Sequence, residues 1–266
     1  MIDCIIVAHF CDGALEDSNN RFNYIANLLS QNKINVELIT SNYAHGNKKY
    51  RKPVNSDLVN TLKYKLTYIN EPQYSKNVSL KRFYSHYIMG KNLKRYLNRR
   101  KPPDIIYCAV PSLDIAYTTM KYAKRNNIPF IIDVQDLWPE VFKMVINLPL
   151  ISNLFFYPMK KKADLIYRNA DKIVAVSQTY IDRALSTNGK CNNGLSIFLG
   201  TDLDLFDRLA SENIVNKPKN EVRLVYIGTL GYSYDIRCVI DALAIIGGKG
   251  INNIKARFIL VSVTTI

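Results

Sequence analysis

Short runs of apolar, largely β-branched residues recur along the chain at 4–8, 36–40, 66–69, 105–109, 130–134 and 172–176. Most are near-continuous rather than alternating, the pattern of strands covered on both faces of a parallel sheet. Between them the apolar residues fall at helical spacing. Residues 21–31 align Phe22, Ile25, Leu28 and Leu29, and residues 112–126 align Ile115, Ala116, Thr119 and Ala123. Ser177 is a good N-cap for a helix over 178–185. Regular strand–helix alternation predicts an α/β fold built on a doubly wound parallel sheet.

A polar stretch, 211–220, interrupts this pattern and reads as a linker. The alternation then restarts with a strand over 222–227, a glycine turn, a helix over 235–246 and a strand over 256–261. This is the opening βαβ unit of a second Rossmann-like domain. The expected organisation is a domain at 1–210, the linker at 211–220 and a second domain at 221–266. That second domain is shorter than the 100 or so residues expected of its type. Its last strand runs into the apolar tail Val261-Ser262-Val263-Thr264-Thr265-Ile266 where a Gly/Asp turn is expected, so the second domain is expected to be truncated.

Composition narrows the partners. Lys and Arg number 36 against 22 Asp and Glu, a net charge of +14, which favours anionic partners without choosing among nucleic acid, membrane and phosphorylated ligands. The five cysteines are scattered and form no C-x-x-C pair, consistent with reduced side chains in a reducing compartment. No basic n-region precedes the first apolar run, and no run approaches the roughly 18 apolar residues of a membrane span. Any membrane contact is therefore expected to be peripheral.

Candidate chemistry lies where strands end. The first strand leads into His9-Phe10-Cys11-Asp12-Gly13 and then a helix beginning near Arg21. In such sheets ligands bind at the carboxyl ends of strands, so this loop faces the cleft. Its single glycine disfavours a dinucleotide site. The strand at 130–134 runs into Asp136, the lone Trp138, Pro139 and Glu140. Carboxylates there cost free energy unless they bind something, and they could accept sugar hydroxyls or act as a general base. Spacing equally allows Asp136 to cap the next helix, with Pro139 in its first turn. Trp138 could stack on a sugar or a lipid. In the second domain, Gly228 and Gly231 flank Thr229 in a loop whose bare backbone could approach a diphosphate, or make a plain tight turn. Asp202-Leu203-Asp204 has the form D-x-D but reads as a solvated turn rather than a metal site. His9, His45 and His86 are too dispersed along the chain for a ligand set.

Asp133-Val134-Gln135-Asp136-Leu137-Trp138-Pro139-Glu140, preceded by Lys124-Arg125-Asn126-Asn127-Ile128-Pro129-Phe130, resembles the family 4 retaining glycosyltransferases of GT-B fold, in the branch that builds capsule and O-antigen chains. Arg21-Phe22-Asn23-Tyr24, Pro103-Asp104-Ile105 with Pro111-Ser112, Ala170-Asp171-Lys172-Ile173-Val174, Leu199-Gly200-Thr201-Asp202 and Tyr226-Ile227-Gly228-Thr229-Leu230-Gly231 resemble further family segments in the same order. The resemblance implies a nucleotide-diphosphate sugar donor on the C-terminal domain and a saccharide acceptor, typically lipid-linked, on the N-terminal one. It implies transfer with retention, no metal and no cofactor. Asp136 is the implied catalytic residue. His9, Gly13, Arg21, Trp138 and Glu140 are the implied acceptor-binding set, and Gly228, Thr229 and Gly231 the donor-binding set. The family's basic groups that assist the leaving diphosphate lie just past the glycine loop; here Arg237 is the nearest candidate.

Residues 81–101 carry Lys81, Arg82, Lys91, Lys94, Arg95, Arg99, Arg100 and Lys101 with no acidic residue, interleaved with Phe83, Tyr84, Tyr87 and Ile88. Residues 155–162 join Phe155, Phe156 and Tyr157 to Lys160, Lys161 and Lys162. Both segments suit an anionic membrane surface, or else a helix with a solvated basic face. The expected location is cytoplasmic, peripheral at the inner face of the membrane. Two other readings compete: a catalytically inactive fragment of such an enzyme, and a basic nucleic-acid-binding protein. No helix-turn-helix, zinc or RNP-like pattern supports the latter, so no nucleic acid is expected.

Overall fold

The computed structural model describes residues 1–11, 21–52, 61–77, 79–145, 149–213, 216, 218–228 and 235–260. They form two compact units, Met1–Thr201 and Asp202–Ile266.

In the first unit the strands are β1 (Asp3–Val7), β2 (Asn35–Ser41), β3 (Tyr43–Ala44), β4 (Lys49–Tyr50), β5 (Lys65–Ile69), β6 (Ile105–Val110), β7 (Phe130–Val134), β8 (Lys172–Ala175) and β9 (Leu195–Ser196). The helices are α1 (Arg21–Gln31), α2 (Leu80–Leu97), α3 (Leu113–Arg125), α4 (Glu140–Val145), α5 (Pro149–Asn169) and α6 (Gln178–Leu185). Seven strands form one parallel sheet in the order β5-β2-β1-β6-β7-β8-β9. The chain starts in the middle at β1, steps outward through β2 to β5, then crosses back to begin the other half at β6. That reversal opens a crevice between the carboxyl ends of β1 and β6, where ligands bind in such folds.

Alternation along each strand feeds both faces. Ile5 and Val7 of β1 enter the larger core with Met89 and Leu93 of α2, Ile115 of α3, Ile166 of α5 and Ile181 of α6. Cys4 and Ile6 enter a second core with Phe22 and Ala26 of α1. Each fully buried Ile contributes about 1.5–3 kcal/mol of apolar burial. Near-continuous apolar strands were the reading of the sequence, and a sheet covered on both faces is the reason for them. The hairpin β3–β4, which carries His45, was not legible, because two-residue strands hold no period.

The second unit comprises α7 (Leu203–Glu212), β10 (Val222–Gly228), α8 (Ile236–Gly248) and β11 (Ile254–Leu260), with β10 and β11 paired in parallel. This is the βαβ unit expected from the sequence. The compact units divide at Thr201, before residue 210, because 203–212 folds as α7. Asp202 is its N-cap and accepts a hydrogen bond from the Leu205 amide at 3.0 Å. One acid of the D-x-D sequence thus caps a helix, where a solvated turn was expected. Among the described residues no helix is long and apolar enough to cross a membrane.

Candidate active site at the carboxyl ends of the sheet

His9, just past β1, sits at the crevice. Its Nε2 lies 2.7 Å from Glu71 Oε2, and its Nδ1 lies 2.6 Å from Ser112 Oγ. Glu71 follows β5, and Ser112 follows β6. An ionised Glu71 can only accept, so His9 Nε2 carries a proton; with the ring neutral, Nδ1 accepts from the Ser112 hydroxyl. Ser112 stands at the N-cap of α3 without capping it, since its hydroxyl is used by His9. Glu71 also accepts from Ser41 Oγ and from Ser85 Oγ, each at 2.6 Å. Burial pushes its carboxyl up, but His9 and these serines outweigh that and hold it below its usual range.

Asp136 and Trp138 form the next wall. Asp136 accepts from the Leu137 amide at 2.9 Å and from Trp138 Nε1 at 3.3 Å. It does not cap α4, which begins four residues later at Glu140. Burial raises its carboxyl above the usual value, opposed by those two bonds and by the Arg82 charge. The Trp138–Pro139 peptide is cis. Trp138 is buried, stacked on His86 with ring centroids 5.9 Å apart, and the Arg82 guanidinium lies 4.8 Å from its ring centre. Its large faces thus meet protein groups.

Arg21 is held by a different carboxylate. Its Nε donates to Asp133 Oδ2 at 2.7 Å, and the Tyr107 hydroxyl donates to the same oxygen at 2.6 Å. Its Nη1 donates to the carbonyl of Ile197 at 3.0 Å, on the chain leaving the sheet. Burial works against the guanidinium charge, but Asp133 outweighs it and keeps Arg21 protonated. Glu140 pairs with Arg183 Nε at 2.6 Å, tying α4 to α6. Gly228 ends β10; a Cβ there would stand 2.9 Å from the Tyr226 hydroxyl, so glycine leaves room for that ring. Gly13, Thr229 and Gly231 lie outside the described residues.

The structure therefore brings His9 and Trp138 into one aromatic cluster, with Asp136 bonded to Trp138, and places Arg21 and Glu140 in separate ion pairs. Two expectations are corrected. The histidines are dispersed in sequence but not in space: the rings of His9 and His86 are 4.7 Å apart, and Phe10 lies between His9 at 4.3 Å and His45 at 4.9 Å. The basic surface of residues 81–101 is also smaller than its sequence suggests. Arg82 is buried, donating to the Asn77 carbonyl at 2.6 Å, and Arg100 pairs with Asp3 at 3.0 Å and Glu37 at 3.1 Å. Glu71 went unremarked in the sequence. Its one signal was an acid two residues past a strand, at the cleft end of the sheet.

No known family and no curated protein sequence matches the chain. Solved structures do match it. The Anabaena protein HepE, determined with UDP-glucose, superposes with a TM-score of 0.51 at 14% identity, over 97% of this chain and 69% of HepE. Apo UGT2 of Phytolacca americana superposes with a TM-score of 0.52 at 12% identity, over 98% of this chain and 63% of UGT2. The fold is that of the GT-B glycosyltransferases. At such identities the likeness is one of architecture. By the strand order of the sheet itself, the β1–β6 crevice with His9 and Ser112 lies at the carboxyl ends of the strands, where open α/β sheets bind ligands.

Proposed function

We propose that the chain belongs to an enzyme that transfers a sugar from a nucleotide-diphosphate donor to a lipid-linked saccharide in cell-surface polysaccharide synthesis, with retention and at the cytoplasmic face of a membrane. The observation that carries this reading is the polar wall at the carboxyl ends of β1, β5, β6 and β7: His9, Glu71 and Ser112 in one hydrogen-bonded chain, and Asp136 bonded to the Trp138 that stacks on His86, on a GT-B fold. Asp136 is the catalytic group. Its partly buried carboxyl accepts the acceptor hydroxyl and steadies positive charge developing on the transferred sugar. His9, fixed by Glu71 and Ser112, shapes the acceptor side together with Gly13, Arg21, Trp138 and Glu140. Arg21 does so indirectly, by anchoring Asp133. Gly228, Thr229 and Gly231 form the diphosphate loop, and the transfer itself needs no metal.

Support for a membrane-borne acceptor comes from exposed side chains on α2 and α5. Leu80, Tyr84 and Tyr87 on α2 and Leu154, Phe155 and Tyr157 on α5 are exposed, and Lys81, Lys91, Lys94 and Lys161 stand among them. At about 1 kcal/mol per basic residue near an anionic leaflet, these residues give useful peripheral affinity. The test is transfer of radiolabel from a panel of UDP- and GDP-sugars into lipid extracts of membranes incubated with the chain. Asp136→Asn is expected to lower turnover far more than donor affinity. Absence of transfer from every donor, or turnover unchanged in Asp136→Asn, overturns the reading.

A further inference from the structure

We infer that His9, Glu71 and His86 form a binding site for one divalent transition-metal ion, with Zn2+ the best fit to the donor set. The site shares His9 and Glu71 with the acceptor wall, but metal binding is read out without any transfer activity and does not depend on it. The three side chains come from the end of β1, the end of β5 and the middle of α2. Each offers one ligand atom, and these atoms all lie within 4.8 Å of one another. All three residues are buried, between 1% and 3% exposed.

Three observations point to a ligand rather than a closed polar network. First, His86 Nε2 is buried and has no hydrogen-bond partner. An orphaned buried nitrogen destabilises the fold, a cost that a metal bond would remove. Second, the groups behind the ligand atoms are already arranged as metal sites require. Ser112 holds His9 by Nδ1, leaving Nε2 toward the cluster, and Ser41 and Ser85 hold the Glu71 carboxylate from two sides. Such outer hydrogen bonds orient ligands and raise their basicity. Third, His86 also lines a cavity of about 150 Å³ together with Trp138, Phe83, Leu113, Asp114 and Lys162, so one ligand of the cluster borders open space.

Two imidazoles and one carboxylate suit a borderline ion such as Zn2+, with water completing four-coordination. Zn–N and Zn–O bonds of about 2.0–2.2 Å in a tetrahedron set ligand atoms roughly 3.4 Å apart, so binding parts His9 Nε2 from Glu71 Oε2, now 2.7 Å away, and brings the His86 ring in toward them. The proton shared by His9 Nε2 and Glu71 leaves when the ion binds. Arg82 opposes any cation here; its guanidinium is turned onto the Trp138 face, and the Glu71 and Asp136 carboxylates offset it. The ion would clip β1, β5 and α2 together beneath the Trp138–His86 stack and so stiffen the wall that carries Asp136.

The test uses the full chain, stripped with a chelator and titrated with ZnCl2 by calorimetry, with Cys191→Ser and Cys238→Ser in the background to remove the accessible thiols. One ion is expected per chain, with a thermal midpoint raised by several degrees on saturation. Substituting Co2+ is expected to give the visible bands of a four-coordinate nitrogen–oxygen site. His86→Leu keeps the volume but cannot ligate; it is expected to weaken binding at least tenfold, whereas His45→Gln, next to the cluster, leaves it unchanged. No stoichiometric binding, no such Co2+ bands, or full affinity in His86→Leu each overturn the site. Should His86→Leu not fold, the Co2+ spectrum of the unaltered chain decides alone.

Discussion

The two units use the same vocabulary and end in opposite states. β1 and β10 are both short apolar strands, each followed along the chain by a helix, and each pairs in parallel with the next strand. Yet Ile6 in β1 is 0% exposed, whereas Ile227 in β10 is 66% exposed. Every residue of α8 is at least partly exposed, while α3 buries seven. The difference lies in layers. Among the described residues, β1 has strands on both sides and feeds a core on each face, whereas β10 pairs with β11 alone. Strand propensity is a property of the segment, but burial, and the free energy that follows from it, is a property of what surrounds the segment.

That contrast can be broken or sharpened by experiment. The largest effect is expected at the Arg21–Asp133 pair, 11% and 0% exposed. Asp133→Ala strands a buried guanidinium and should cost about 3–5 kcal/mol in denaturant unfolding. A loss below about 1 kcal/mol would show that the pair is far more hydrated than its geometry indicates. Next, Ile6→Ala should cost about 2–5 kcal/mol, with Ile227→Ala within about 0.5 kcal/mol. Equal losses at the two sites would erase the distinction. Trp138, the lone tryptophan, reports unfolding of the first unit by fluorescence, and amide exchange reports the second.

Acid should also separate the units, since all three histidines lie in the first. Burial, Arg82 and Lys48 lower the His45 ring from 6.5 to about 3, with His9 acting in the same direction and Glu71 opposing. Below 6.5 the unfolded chain takes up a proton that the folded chain refuses until about 3, so stability is full above 6.5 and falls as pH drops through that window. The slope is at most about 1.4 kcal/mol per pH unit and less for a partly exposed ring. His45→Gln should flatten the tryptophan-detected midpoint between pH 7 and 5; an unchanged profile would assign the acid sensitivity elsewhere. The smallest effect is expected at Arg237–Asp241 of α8, a pair 88% and 64% exposed, where Arg237→Ala should be nearly silent in stability.

Much of the architecture was legible along the chain. Every long strand of the parallel sheet coincides with an apolar run, because a two-faced sheet demands apolar residues at successive positions whatever the partners are. The βαβ restart after 220 was legible for the same reason. Asp136 and Trp138 could be singled out because they directly follow a strand. Glu71, Ser85 and His86 could not, since what joins them to His9 is the return of α2 across the sheet, a contact between residues far apart in sequence.

Local pattern by itself determined the order of strands and helices, the parallel sheet and the position of the cleft, since side-chain periodicity and strand polarity are carried by neighbouring residues. Only the tertiary structure decided which charges are buried, turning Arg82 and Arg100 from a solvated face into internal partners. It alone gathered three histidines and one glutamate from distant segments. Burial and long-range hydrogen bonding depend on which segments pack together, and that is set by the whole sheet rather than by any stretch of the chain.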